Sequence, residues 1–416
     1  MAATSSAQDM VRPGECLDLY YYDGETSKKQ CFPVTMNTKY TQNLNNLSQG
    51  NSVFTIPPNN GIQDIVVVFQ IADLSAQDAS GLALPTGWGY SLIKNVSFRY
   101  GGTSQYFLTG DQILQNALRK QTNRNSMNDI LNYGGAACDP ALLELGPQYA
   151  AVVLTLPHNI PSGVGKAHPL PSDCLTQQIQ VTLELNAVSS IFSVNGTGAA
   201  SPPTSLSAGY FQVQQLLFNN AGDALARRVD MAENAYAFPC EFVQQKQVIP
   251  LANTASEQSI VLTGFRSGEV KSIQVWLTRD SDTSGATKNP WKWYAPVSVT
   301  MTYAGDIYAR FEQYSAGLWN LINSNKSNAA DISELTFGGG AYTLTPGVMT
   351  WVELPFAQTL VDEDSHYTLV HGKPITNGIV NLAITTPDAQ SDYKLNVSYV
   401  YNATMLFSQG TADFVF

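Results

Sequence analysis

The stretch Val96-Ser-Phe-Arg-Tyr-Gly-Gly102 returns 203 residues later as Val299-Thr-Met-Thr-Tyr-Ala-Gly305. In one copy Val96, Phe98 and Tyr100 alternate with polar residues; in the other Val299, Met301 and Tyr303 do the same. Alternation with period two predicts a strand with one buried face, and the small residues that follow predict a tight turn. Three more pairs recur in the same order: Leu154–Pro157 with Val352–Pro355, Ile179–Leu185 with Val380–Thr386, and Leu216–Phe218 with Met405–Phe407. Strand sequences resemble one another cheaply, so each pair alone carries little weight. Four in one order predict two copies of one β domain, and two copies are too few for a solenoid.

Working outward, Leu395, Val397 and Tyr399 add another alternating strand, and Ile65–Ala72 is apolar on both faces. A strand of that second kind is expected to be covered on both sides, inside a sandwich or at a subunit contact. Helical spacing is found at Asp111–Lys120, after the plausible N-cap Thr109, and at Tyr308–Asn323. Many short strands joined by Gly-, Pro- and Asn-rich connections predict an all-β protein of two tandem sandwiches with short helices in the loops. The boundary is expected between strand Tyr210–Phe218 and strand Glu241–Ile249. That gives an N-terminal arm at 1–45, a first domain at 46–225 and a second at 226–416. The arm is expected to be ordered by neighbouring subunits, since termini order when tied down.

Composition narrows the function. The 416 residues carry 22 Lys+Arg against 33 Asp+Glu, a net charge of −11, and charged residues make only 13% of the chain. Apolar residues at 44% suffice for large cores and exclude intrinsic disorder. Basic residues are sparse, with only Lys166 between Asn125 and Ala226, so sequence-specific nucleic-acid binding is not expected. The N-terminus Met1–Gln8 lacks the pattern of a secretory signal, and no apolar run reaches the ~18–20 residues of a membrane helix. Five widely spaced cysteines (Cys16, Cys31, Cys138, Cys174, Cys240) read as reduced thiols. Of six Asn-x-Ser/Thr sequons (Asn46, Asn95, Asn195, Asn325, Asn396, Asn402), Asn95 and Asn396 fall in strands where a glycan would obstruct packing.

The order of these features resembles the major capsid proteins of tailless double-stranded DNA viruses, the virophage, polinton-like and giant-virus lineage. The resemblance is carried by the strand ending Tyr100-Gly-Gly102 before a helix and by Leu156-Pro157 with the turn His168-Pro-Leu-Pro171. It continues through Arg227-Arg228 upstream of Cys240-Glu-Phe-Val-Gln-Gln-Lys246, Arg310-Phe-Glu312 to Leu321, and the ending Tyr393–Phe416. Coverage runs from about Asn51 to Phe416. The resemblance implies a double jelly roll of two tandem eight-stranded jelly-roll sandwiches, assembly as trimeric pseudo-hexagonal capsomers into an icosahedral shell, and residence in the virion. It implies as partners the chain itself, penton proteins and minor capsid proteins, and it leaves an internal membrane open. Loops such as Gly134–Gly146 and Ser324–Pro346 would lie at the outer ends.

Chemical constellations are hard to assemble, so no catalytic, cofactor or metal residues are assigned and a non-enzyme is expected. His158, His168, His366 and His371 sit beside turns without the His-x-His of a jelly-roll metalloenzyme. Asp362-Glu-Asp364 reads as a solvated loop, with a cation site as the second reading. Gly338-Gly339-Gly340 lacks the Lys-Ser/Thr of a phosphate loop, and Gly101-Gly102 reads as a positive-φ turn. Arg119, Lys120 and Arg124 read as a solvated basic helix end, with anionic lipid or genome as the alternative. Two other functions stay open: a two-jelly-roll amidase that releases glycans, needing paired carboxylates between the rolls, and a glycan-binding attachment protein using Trp291-Lys-Trp293-Tyr294.

Overall fold

The computed structural model describes residues 21–23, 29–31, 34–56, 61–75, 79, 81–100, 105–119, 124–154, 170–172, 175–194, 201–218, 225, 229, 236–283, 290–294, 296–312, 329–332, 347–356, 372–375, 379–389 and 392–416. Eight strands build a first sandwich: β1 (Val34–Asn43), β2 (Gly50–Ile56), β3 (Gly61–Ile71), β4 (Ile93–Tyr100), β5 (Gln105–Thr109), β6 (Gln148–Leu154), β7 (Ile179–Leu185) and β8 (Ala208–Phe218). They pair antiparallel in the orders β1-β8-β3-β6 and β2-β7-β4-β5. Apart from the hairpin β4-β5, successive strands thus cross between two sheets that pack face to face, the jelly-roll arrangement.

A second sandwich repeats it strand for strand. Its members are β9 (Tyr236–Val243), β10 (Gln258–Leu262), β11 (Glu269–Arg279), β12 (Ser298–Tyr303), β13 (Asp306–Glu312), β14 (Val352–Pro355), β15 (Val380–Thr385) and β16 (Tyr393–Ser408). Their orders are β9-β16-β11-β14 and β10-β15-β12-β13. The duplication read from four short matches therefore extends to the whole topology. Alternation builds each core: Ile179, Val181, Leu183 and Leu185 are buried while Gln180, Thr182 and Glu184 between them are half-exposed. The chain ends in β17 (Thr411–Val415), hairpinned onto β16.

Several expectations are corrected by the fold. Residues 34–43 fall inside the segment read as an arm, yet they form β1 at the edge of the first sandwich. The run Val34-Thr-Met-Asn-Thr-Lys-Tyr-Thr-Gln-Asn43 is largely polar, as an edge strand tolerates, so its alternation was diluted. The helix expected at Tyr308–Asn323 is contradicted at its start, where Asp306–Glu312 is strand β13. Ala304 (φ 53) and Gly305 (φ 95) form a two-residue turn that returns the chain directly onto β12, with Tyr303 opposite Asp306. Residues 313–323 lie outside the described residues. The strand expected at Glu241–Ile249 breaks at 244–246 into β9 and the short strand Gln247–Pro250, both paired with β16.

Helix α2 (Gly110–Arg119) matches the spacing read at Asp111–Lys120. Gln112 accepts from the backbone N–H of Thr109, half of a capping box that fixes its start. It follows α1 (Trp88–Leu92) and precedes α3 (Arg124–Tyr133) and α4 (Pro140–Leu145), which occupies the loop Gly134–Gly146. Gly305 is needed for its turn, because a side chain costs roughly 1–2 kcal/mol in the left-handed region. Gly305→Val should lower the free energy of unfolding by about that amount, read by urea denaturation; an unchanged midpoint would show that the turn does not hold the hairpin.

Candidate functional site: the junction between the rolls

The loop between β5 and β6 carries α2 out of the first roll and lays it on the outer face of the second roll's β9-β16-β11-β14 sheet. Gln112, Gln115, Asn116 and Arg119 line the helix face toward that sheet, all but Arg119 fully buried. Gln112 Nε2 donates to Ser398 Oγ at 2.5 Å and to the Gln244 carbonyl at 2.9 Å. About two turns on, Arg119 bridges strands β14 and β9. Its Nε and a terminal nitrogen grip Glu353 at 3.0 and 2.8 Å, and the other terminal nitrogen meets Glu241 at 2.6 Å.

Charge balances inside this cluster. Glu241 also pairs with Lys271, and Ser272 Oγ donates to Glu353 at 2.6 Å, so two acids face two bases with a hydroxyl between. Side-chain exposure is 12% for Arg119, 10% for Glu241, 8% for Lys271 and 1% for Glu353, which puts the cluster out of bulk water. Burial alone would raise the Glu241 carboxyl; the Arg119 and Lys271 charges outweigh it and hold the group well below the carboxylate range. Burial likewise opposes charge on Arg119, and Glu241 with Glu353 more than offset it, raising its pKa.

The interrupted strand supplies the second half of the contact. Gln245 donates to Asn95 at 3.2 Å, and Lys246 forms an ion pair with Asp111. An aromatic cluster closes one end: Tyr106 lies 5.0 Å from Phe242 edge-on, Tyr100 lies 5.9 Å from Phe414, and Phe416 packs on Phe242 at 4.9 Å. Gly268 (φ +135) permits this tail, because a Cβ there would sit 2.6 Å from that of Phe416. At the other end Trp291 Nε1 donates to the Thr86 carbonyl at 2.7 Å, and Trp293 stacks on Trp276 at 5.3 Å.

These placements settle several residues singled out in the sequence. Arg119, read as part of a solvated basic patch, is instead the centre of a buried junction; Lys120 lies outside the described residues, as does the Arg124 side chain. Trp291 and Trp293 are 1% and 3% exposed, packed into the core. Asn396 and Asn402 are buried in β16, and the Asn95 amide donates to Glu184, so none of these three sequons presents a free amide. Cys138 and Cys240 are free, buried thiols. The four histidines, Asp362–Asp364, Gly338–Gly340, Gly101-Gly102, Arg227-Arg228, Cys16 and Cys174 lie outside the described residues. No group of three metal-ligating side chains occurs among the described residues. A cleft of about 280 Å³ beside the junction is lined by Phe107, Phe242, Gln244–Gln247 and Arg266, with no carboxylate.

Two rolls of one topology, joined side by side through a helix of the first, describe a specific architecture. The chain has the double jelly-roll fold. The VP54 protein of PBCV-1, as fitted into a reconstruction of the virophage Sputnik, superposes with a TM-score of 0.66 at 13% identity, covering 94% of this chain and 98% of that one. The Faustovirus major capsid protein gives 0.54 at 10% identity, covering 91% of each chain. The mavirus major capsid protein gives 0.52 at 14% identity, covering 92% of this chain and 90% of that one. No protein-family model matches the chain, and no curated protein matches it.

Sequence reasoning missed Glu241, Lys271, Glu353 and Gln112 as a set. The available signal was rarity: in a chain with 13% charged residues, Lys271 and Glu353 interrupt otherwise uncharged strand interiors. Arg119→Met should leave two buried carboxylates facing one ammonium and cost about 3–5 kcal/mol of unfolding free energy, read by denaturant titration; a loss below 1 kcal/mol would show the cluster to be solvated. The pH dependence has a fixed sign. Glu241 is depressed in the folded chain, so its contribution is complete above the unfolded value of about 4.3 and is lost as pH falls below it. Melting temperature should therefore drop on acidification, and the Glu241→Gln variant should show a smaller drop.

Proposed function

We propose that this chain is the major capsid protein of a tailless double-stranded DNA virus and acts as a trimeric building block of an icosahedral shell. The observation that carries the reading is the junction: a buried, charge-balanced contact makes two jelly rolls one block whose outline repeats within itself. Three such blocks around an axis present six similar rolls, and closed cyclic symmetry is the common solution for homo-oligomers. The low charged fraction fits a surface that is largely covered by neighbours. In this reading the protein resides in the virion. Its partners are other copies, penton proteins and minor capsid proteins, and the segment before β1 reaches neighbouring subunits. The division into a first roll up to about residue 225 and a second from 226 belongs to the same proposal.

The alternatives fare worse against particular residues. A glycan-releasing amidase needs accessible carboxylates between the rolls. Glu241 and Glu353 do lie there, but each is buried and held by cations or a hydroxyl. An attachment protein would need Trp291 and Trp293 open to a sugar, and both are packed away. We therefore read the protein as a non-enzyme.

Light scattering on the purified chain should give about 135 kDa, three times the 45.1 kDa subunit. Negative-stain images should show pseudo-hexagonal particles. A stable monomer or a twofold dimer near 90 kDa, with no lattice-forming condition, would overturn the capsid reading.

A further inference from the structure

The loop at 263–268, between β10 and β11, is exposed along much of its length yet pinned at several points. Gly264 (φ +77) and Gly268 (φ +135) give it two left-handed bends. Gln244 Nε2 donates to the Gly264 carbonyl, and Gln247 Nε2 and the Tyr399 hydroxyl both donate to that of Thr263, each at 2.9 Å. The Arg266 backbone N–H donates to the Tyr401 hydroxyl at 2.8 Å, and Phe265 stacks on Tyr399 at 4.3 Å. A surface loop held this way costs little further entropy when something binds to it.

What the loop presents is one exposed cation. Arg266 Cζ lies over the ring of Phe242 at 4.8 Å and over that of Phe416 at 5.6 Å. Aromatic rings hold a guanidinium without using up its planar fork of N–H donors. Arg119, Arg279 and Arg310 each meet a carboxylate, whereas no acceptor among the described residues takes the Arg266 fork. Arg266 lines the cleft of about 280 Å³ at the junction, with Lys246 and the 36% exposed Phe107. No carboxylate lines that cleft, and the Lys246 charge is already matched by Asp111, so one uncompensated positive charge remains.

We propose that this cleft binds an acidic residue in a peptide segment of a partner protein, its carboxylate on Arg266 and an apolar neighbour on the Phe107 ring. Charge selects the ligand. One uncompensated unit matches a single carboxylate, which a guanidinium takes through two parallel hydrogen bonds. A phosphate dianion would bring a second charge that nothing in the cleft matches, and a nucleic-acid strand needs a track of cations. The volume falls just below the ~300–1,000 Å³ of pockets for drug-sized ligands, which suits one or two side chains. Phe107 comes from the first roll and Arg266 from the second, so the site is complete only when the junction has formed. A partner bound here therefore reads the assembled two-roll block.

Acetyl-Phe-Glu-amide and its isostere acetyl-Phe-Gln-amide are the probes, titrated onto the full chain at low salt and followed by saturation-transfer NMR. The Glu peptide should bind with a dissociation constant on the order of 1 mM, and the Gln peptide at least about 10-fold more weakly. Arg266→Gln should weaken the Glu peptide by the same factor and leave the Gln peptide unchanged. Arg266→Lys, which keeps the charge without the fork, should fall between, and it decides the matter should Arg266→Gln misfold by circular dichroism. Arg310→Gln removes an equal charge at a 63% exposed position outside the cleft and should change nothing. Equal binding of the two peptides, no binding of either, wild-type affinity in both Arg266 variants, or displacement of the Glu peptide by equimolar inorganic phosphate would overturn the site. Each of those results leaves the capsid reading standing, because the site needs neither the trimer nor the shell.

Discussion

The Arg119 guanidinium, lodged between Glu353 and Glu241, is the interaction on which the rest of the molecule's organisation depends. It projects from a helix of the first roll and is satisfied only by carboxylates of the second, so it fixes both the distance between the rolls and their register. Buried ion pairs add little net stability over a well-packed apolar contact, because desolvation consumes most of the Coulombic gain. Their leverage is on alternatives: a roll shifted by one strand spacing would leave several charges buried without partners. An apolar junction would slide at smaller cost. A subunit that must tile a surface needs one geometry more than it needs extra stability.

Much of the architecture was legible because strand alternation survives in a linear reading. Ile179–Leu185 and Val299–Tyr303 carry their buried faces openly, and the recurrence of Tyr-Gly-Gly as Tyr-Ala-Gly exposed the duplication. What failed did so for stated reasons. The edge strand Val34–Asn43 is polar because one side needs no partner. The helical spacing from Tyr308 was coincidental with a strand committed by the Ala304-Gly305 turn. The break at Gln244–Lys246 was invisible because these residues leave the sheet to meet Gln112, Asn95 and Asp111, contacts far away in sequence.

The junction was illegible for the same reason in stronger form. Arg119 at the end of an amphipathic helix looks like a solvated charge until Glu241 and Glu353, 122 and 234 positions away, are placed beside it. Ile65–Ala72 shows the opposite case. Its apolarity on both faces was plain in the sequence, and the fold explains only one of them: Ile65, Val67, Phe69 and Ile71 fill the sandwich, whereas Val66 and Val68 look outward.

Differential scanning calorimetry of the intact protein tests the central claim, that the junction makes the two rolls one cooperative unit, most directly. The account predicts a single endotherm at neutral pH, because neither roll can lose its fold without exposing the other's buried charges. Two resolved endotherms at neutral pH, one for each roll, would contradict it.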